Sequence, residues 1–291
     1  MLLSHKKITA SHWSDYISSN HQTTECEEIV LADSIITPAE QRKTLKPLSE
    51  LFITKWQAHR NKVSKEVPFV VSITGSVASG KSTTAQCLKN LLETQPPYPS
   101  VSIVCTDDFL YSNQSLKKMG ILDRKGFPES YDSVALLRCV AALKKGATHV
   151  TIPKYSHKIY NIMESKQVLN NADIIIIEGL NILQRTTNTS AYTLDQLSNI
   201  CIYMEAAEDD LFSWFTKRVK GLIEEAKKDS TSFYHRFTQM SLADVGNGIH
   251  DAWYNINSKN LHENLIPLRE KADIIMEKNK DHQITALWVK I

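Results

Sequence analysis

Gly75-Ser76-Val77-Ala78-Ser79-Gly80-Lys81-Ser82 matches G-x-x-x-x-G-K-[ST] at every specified position, and Thr83 follows it. A short apolar run, residues 69–74, enters the loop, and a helix-forming stretch, residues 82–92, leaves it. A strand, a glycine loop and a helix in that order leave backbone N–H groups unpaired around the positive end of the helix, which makes a seat for a polyphosphate. In such a loop Lys81 reaches the β and γ phosphates and Ser82 offers its hydroxyl to Mg²⁺. Nucleotide binding is the first expectation.

Outward from the loop the same pattern repeats. Residues 101–106, 173–177, 200–204, 272–276 and 284–289 are apolar runs, several of them continuous and β-branched, as strands covered on both faces must be. Residues 134–144 and 211–228 have helical periodicity, and residues 239–265 are helical in part, with Gly246 and Gly248 expected to interrupt them. The fold expected is α/β: a doubly wound, mostly parallel sheet flanked by helices. Residues 1–65 form a helical lead-in packed on the core, where Leu48, Leu51, Phe52 and Trp56 share one helical face behind Pro47. Residues 66–291 form the nucleotide-binding domain.

Composition narrows the partners. With 291 residues, 42% hydrophobic and 23% charged, the chain has the composition of a soluble globular protein able to bury one large core. A net charge of +2 without long single-sign blocks indicates neither nucleic acid nor a membrane surface as partner, which leaves a small-molecule substrate. Cys26, Cys87, Cys105, Cys139 and Cys201 are odd in number and show no C-x-x-C spacing, so reduced thiols in a cytoplasmic protein are expected. The amino-terminal residues lack the apolar core of a signal peptide, and no run approaches the roughly 18 apolar residues that span a bilayer.

Phosphoryl transfer requires phosphate positioning, a metal, a carboxylate near the acceptor hydroxyl and a cation for developing charge. Asp107 and Asp108 end the run at 101–106, at the sheet edge where ligands bind, and either can serve as the base. Glu178 ends the four isoleucines Ile174 to Ile177 at the same edge and can hold Mg²⁺ directly or through water. Tyr155, His157 and Tyr160 are placed either to line an acceptor pocket or to decorate a surface loop. Arg218 is either a charge-stabilising cation or a solvated helix residue.

Several of these stretches together resemble the bacterial type I pantothenate kinases, ATP-dependent enzymes that begin coenzyme A synthesis. They are GSVASGKSTT at 75–84, Thr106-Asp107 with Phe109-Leu110, KGFPESYD at 125–132, YSHKIY at 155–160 and IEGLNIL at 177–183. The loop is common to many nucleotide enzymes, but KGFPESYD and YSHxIY in this order and spacing are specific to that family. The resemblance runs from about residue 40 to the end. It implies a P-loop kinase fold, ATP and Mg²⁺ as cofactors, pantothenate as acceptor, coenzyme A as a possible feedback inhibitor and a homodimer. It further implies Asp107 as catalytic carboxylate, Lys81 and Arg218 as phosphate cations, and Ser82 and Glu178 as Mg²⁺ partners. Gly75, Ser76, Val77, Ala78, Ser79, Gly80, Thr83 and Lys125 would lie at the nucleotide. Tyr155, His157, Tyr160, Phe215 and Asn257 would lie at pantothenate.

This chain also departs from that family. Asp108 replaces a glycine, adding a charge beside the base, and Phe215 replaces a pocket tyrosine. Gln86 stands where coenzyme A-regulated members carry an arginine, and Val219 and Leu222 replace phenylalanines around the inhibitor's thiol end. Weakened feedback is the expectation. The rival readings are a uridine kinase or phosphoribulokinase-like enzyme, which would lack the two specific motifs, and a non-catalytic nucleotide-binding scaffold.

Overall fold

The computed structural model describes residues 4–20, 36–64, 66–184 and 193–291; Cys26 and part of the lead-in lie outside them. Seven strands form the main sheet, in the spatial order β1 (His5–Thr9), β11 (Ile284–Lys290), β10 (Ile274–Lys278), β9 (Ile200–Ala206), β2 (Phe69–Gly75), β8 (Ile174–Gly179) and β3 (Val101–Cys105). The five strands from β10 to β3 run parallel, and β11 and β1 close one side antiparallel. Two small antiparallel pairs stand apart: β4 (His149–Ile152) with β7 (Gln167–Asn170), and β5 (Tyr155–Ser156) with β6 (Asn161–Ile162).

The isoleucine run explains the layering. Along β8, Ile174 and Ile176 point into one core layer while Ile175 and Ile177 point into the other, and all four are fully buried. Because successive side chains of a strand alternate faces, a strand covered on both sides has to be apolar throughout. One layer is built from the helices Lys46–Arg60 and Lys81–Thr94, through Leu48, Phe52, Trp56, Leu88 and Leu91. The other is built from the helix Ser133–Lys144, through Leu136, Val140 and Leu143.

Two expectations need correction. The lead-in opens with a strand, because β1 pairs with β11 from His5↔Lys290 to Thr9↔Ala286. Only His5 and Ile8 of its five residues are buried, so the polar sequence HKKIT carried too weak an alternation to be read. Gly246 and Gly248 do not interrupt their helix: Leu242–Ala252 runs through both and continues as wider π-helical turns at Trp253–Ser258 and Leu261–Leu265. Each glycine costs a helix roughly 1 kcal/mol. Here Trp253, fully buried, anchors the helix's end in the core, and Val245 and Ile249 on the same face turn toward a cavity.

Two glycine substitutions should therefore act in opposite directions in thermal or urea unfolding. A Cβ at Gly246 would meet nothing within 4 Å, so Gly246→Ala should raise stability by roughly 0.5–1 kcal/mol. A Cβ at Gly179 would stand 1.7 Å from Thr106 Oγ1 and 2.6 Å from its Cβ, so Gly179→Ala should lower stability by about 2 kcal/mol or more.

Candidate active site

The carboxyl ends of the parallel strands converge on one point. From β2 the chain enters the glycine loop, and Gly80, at φ +90°, turns it into the helix Lys81–Thr94. No side chain caps that helix, so its first amides remain available to an anion. Lys81 is nearly enclosed and donates to the Ser76 carbonyl at 2.7 Å. Burial pushes its pKa down, while the carboxylates of Glu178 and Asp107 pull it back up. Ser82 Oγ donates to Glu178 Oε1 at 2.8 Å, which joins the first helical turn to the end of β8. The Ser79 hydroxyl is buried without a hydrogen-bond partner, as a group facing a polyphosphate seat would be.

Asp107 and Asp108 occupy the 3₁₀ turn Thr106–Phe109 that follows β3, and the turn sends them apart. Asp107 lines the cavity and accepts a hydrogen bond from the Tyr131 hydroxyl at 3.1 Å. Asp108 is buried and faces elsewhere, accepting the backbone N–H of Tyr155 and the side-chain amide of Gln167, both at 2.7 Å. Burial raises its pKa to about 6 against the opposing pull of those two donors. Of the two aspartates, only Asp107 faces the space where an acceptor can sit.

That space is a cavity of about 460 Å³. Its wall brings together Val77, Ala78, Lys81, Ser82, Asp107, Lys125, Tyr155, His157, Tyr160, Glu178, Phe215, Arg218 and Asn257, residues scattered over more than half the chain. The Tyr155 ring meets His157 edge-on at 5.1 Å, and Tyr160 stacks on Phe233 at 4.6 Å. Phe215, from the helix Glu208–Ala226, tilts against Trp253, and Asn257 is held by the Ala252 carbonyl in a π-helical turn. Arg218 is well exposed yet lines the cavity, and its charge is felt at Lys81 and Tyr234. Beyond it, Val219, Leu222, Ile223, Phe237 and Ile249 form an apolar annex. Gly75, Ser76, Ser79, Gly80 and Thr83 belong to the loop and its helix and do not contribute to this wall.

Lys125 lines the same cavity as Lys81 and Ser82, on its aromatic side. Its ammonium donates to Asn113 Oδ1 at 2.8 Å and to the Tyr160 carbonyl at 2.7 Å, and lies 3.9 Å from the centre of the Tyr160 ring. Burial lowers its pKa to about 8, with Asp107 opposing. Two residues escaped the sequence reading. Tyr131 lies inside KGFPESYD, which gave no sign that its hydroxyl would reach Asp107. Lys278, at the end of β10, donates to the Ser79 carbonyl at 3.2 Å from 199 positions away. Only the strand order could have placed it there.

Comparison with known proteins gives this cavity a family. The sequence pattern of the "Phosphoribulokinase / Uridine kinase family" matches residues 70–220. A pantothenate kinase of Streptococcus pneumoniae serotype 19F (strain G54) is 42% identical over 228 residues, covering 78% of this chain and 74% of its own. The chain belongs to the pantothenate kinases of the phosphoribulokinase/uridine kinase family. The pantothenate kinase of S. pneumoniae serotype 4 (strain ATCC BAA-334 / TIGR4) matches to the same extent. Among solved structures, a candidate fructose transport system kinase from Silicibacter sp. TM1040 superposes with a TM-score of 0.56 at 20% identity, over 76% of this chain and 95% of that one. The YGR205w protein does so with a TM-score of 0.58 at 16% identity, over 85% and 99%. These two likenesses concern the fold, which the pantothenate kinase family thus shares with other P-loop kinases.

The raised pKa of Asp108 has a definite sign in stability. Between the ordinary aspartate value of 3.8 and about 6 the native protein keeps a proton that the unfolded chain has lost, so this group's contribution falls as pH rises through that window. The span is about 3 kcal/mol at most. Asp108→Asn should melt higher than the parent at pH 7 and equally at pH 4, as followed by thermal unfolding at both values.

Proposed function

We propose that this chain transfers the γ-phosphoryl group of ATP to the primary hydroxyl of pantothenate, giving 4′-phosphopantothenate and ADP, the entry step of coenzyme A synthesis. The observation that carries this reading is a single cavity in which the phosphate loop and the aromatic acceptor wall meet at Asp107. The named relatives support pantothenate as the acceptor.

Ser82 and Glu178 would hold Mg²⁺. Two hard oxygen donors 2.8 Å apart suit an ion that takes one or two protein ligands and completes its shell with water and phosphate. When bound, the ion neutralises charge on the β and γ oxygens. Asp107 accepts the proton of the acceptor hydroxyl as that oxygen bonds to the γ phosphorus. The bond from γ phosphorus to the bridging oxygen breaks, and ADP leaves with the electron pair. Lys81 and Arg218 offset charge on the equatorial oxygens. The hydrogen bond from Tyr131 fixes one Asp107 oxygen and leaves the other for the acceptor. Tyr155, His157, Tyr160 and Asn257 orient pantothenate, and Phe215 contributes apolar contact only.

Among the described residues no helix is long and apolar enough to cross a membrane. The free thiols of Cys105, Cys139 and Cys201 fit a cytoplasmic enzyme. A homodimer, implied by the family, is checked by sedimentation.

The family match also covers uridine kinases and phosphoribulokinases, so acceptor identity is the decisive assay. ADP release with Mg·ATP should follow pantothenate and not uridine or ribulose 5-phosphate, with the product confirmed by mass. Asp107→Asn should lower kcat by about 10²-fold to 10⁴-fold and leave the Kd for Mg·ATP unchanged, because the carboxylate acts on the acceptor while the loop grips the nucleotide.

Feedback by coenzyme A is weakened on this reading. Gln86 is neutral and donates to Asn90 Oδ1 at 2.9 Å, so it offers a phosphate no charge. Val219 and Leu222 offer the annex aliphatic side chains at two positions where coenzyme A-regulated relatives carry aromatic rings. Gln86→Arg should tighten the inhibition constant of coenzyme A against ATP by about tenfold or more, the scale of a charge-assisted hydrogen bond. An unmodified enzyme already inhibited as strongly as an arginine-bearing relative would refute weakened feedback.

A further inference from the structure

The acceptor wall is carried by a hairpin that cannot hold itself. Its strands β5 and β6 pair through two residue pairs only, Tyr155↔Ile162 and Ser156↔Asn161, and so short a ladder has no independent stability. Tyr160, between them, sits at φ +52°, a left-handed conformation that a tyrosine keeps only when its surroundings impose it. External contacts must therefore fix the hairpin. At its exit, Asn113 N–H donates to Asn161 Oδ1 at 2.9 Å, and the Tyr160 carbonyl accepts from Asn113 Nδ2 at 3.0 Å and Lys125 Nζ at 2.7 Å. At its tip, the Lys158 carbonyl accepts Phe233 N–H at 2.8 Å. At its entry stands Asp108.

We propose that Asp108 is a positioning residue for the acceptor: its buried carboxylate clamps the hairpin bearing Tyr155, His157 and Tyr160 to the same turn that carries Asp107. One oxygen accepts Tyr155 N–H and the other accepts Gln167 Nε2, each at 2.7 Å, and the Gln167 amide also reaches the Pro153 carbonyl at 3.3 Å. The clamp thus grips the chain on both sides of Lys154. Charge-assisted bonds to a buried carboxylate are the stronger class of hydrogen bond, and here they fix the backbone of the residue whose ring lines the cavity. Adjacent aspartates divide the work: Asp107 faces the reacting hydroxyl, and Asp108 sets the distance from that carboxylate to the wall that orients it. The inference rests on the hairpin being the acceptor wall of the proposed reaction.

The test pairs kinetics with hydrogen exchange on the full chain. In Asp108→Ala the KM for pantothenate should rise about tenfold to a hundredfold, with kcat within about threefold and the Kd for Mg·ATP within about twofold of the parent. Amide exchange across residues 154–163 should speed up in the ligand-free variant, a readout independent of which acceptor the enzyme takes. Asp108→Asn should restore both, because its carbonyl still accepts Tyr155 N–H and Gln167 can turn its own carbonyl to the new amide. An Asp108→Ala protein that binds Mg·ATP normally yet shows parental exchange and parental KM overturns the proposal. So does a fall in kcat at constant KM, which would put Asp108 in the chemistry. Should Asp108→Ala fail to fold, Gln167→Ala removes one arm of the clamp and must itself raise exchange and KM, or the proposal falls. If the parent leaves pantothenate untouched, the functional reading fails, while the exchange experiment still decides the clamp.

Discussion

Covering both faces of a parallel sheet drives its charged groups to the ends of the strands, and the site of this molecule follows from that. Four consecutive isoleucines fill β8 from layer to layer, so its two carboxylates stand at the ends of the run, Asp173 at the amino edge and Glu178 at the carboxyl edge. The same constraint delivers Asp107 from β3, the phosphate loop from β2 and Lys278 from β10 to that edge. The hydrogen bond from Ser82 to Glu178 joins two of these arrivals, so the fold itself holds their two oxygens together. Preorganisation of this kind spares the enzyme a reorganisation at the moment of reaction.

The charges at the edge are mutually dependent. Lys81 is buried and would lose its proton more readily were Glu178 and Asp107 not beside it. Burial, reinforced by those carboxylates, holds the Cys105 thiol far above its ordinary pKa, so it stays protonated. The Tyr131 hydroxyl is likewise kept protonated beside Asp107, which suits a hydrogen-bond donor to a base. Lys81 therefore stands on the loop side of Asp107 and Lys125 with the protonated tyrosines on the other, so the carboxylate lies between two cations.

Much of this was legible in the chain. The phosphate loop is contiguous, and its spacing states its chemistry without any fold. The sheet was legible because strands buried on both faces read as unbroken apolar runs. What stayed hidden depends on contacts between distant segments. His5–Thr9 is too polar to show its pairing with the last strand, and Lys278 reaches the loop only through the strand order. Asp107 and Asp108 are indistinguishable by spacing, since only a 3₁₀ turn sends one to the cavity and the other to the hairpin. That Lys125 stands beside the Tyr160 ring was equally hidden, because a motif does not tell which side of a cavity its residues face.

The π-helical turns at Trp253–Ser258 and Leu261–Leu265 carry a consequence of their own. A π turn closes its hydrogen bonds from i to i+5, so it holds one residue more than an α-helical turn. One residue rotates an α-helix by about 100°, which is the difference between facing a ligand and facing water. Asn257 sits within the first of these turns and reaches the cavity from there. Its place on the cavity wall is a matter of phase: a single wide turn offsets the helix that follows, and with it the side chain that the helix shows to the cavity.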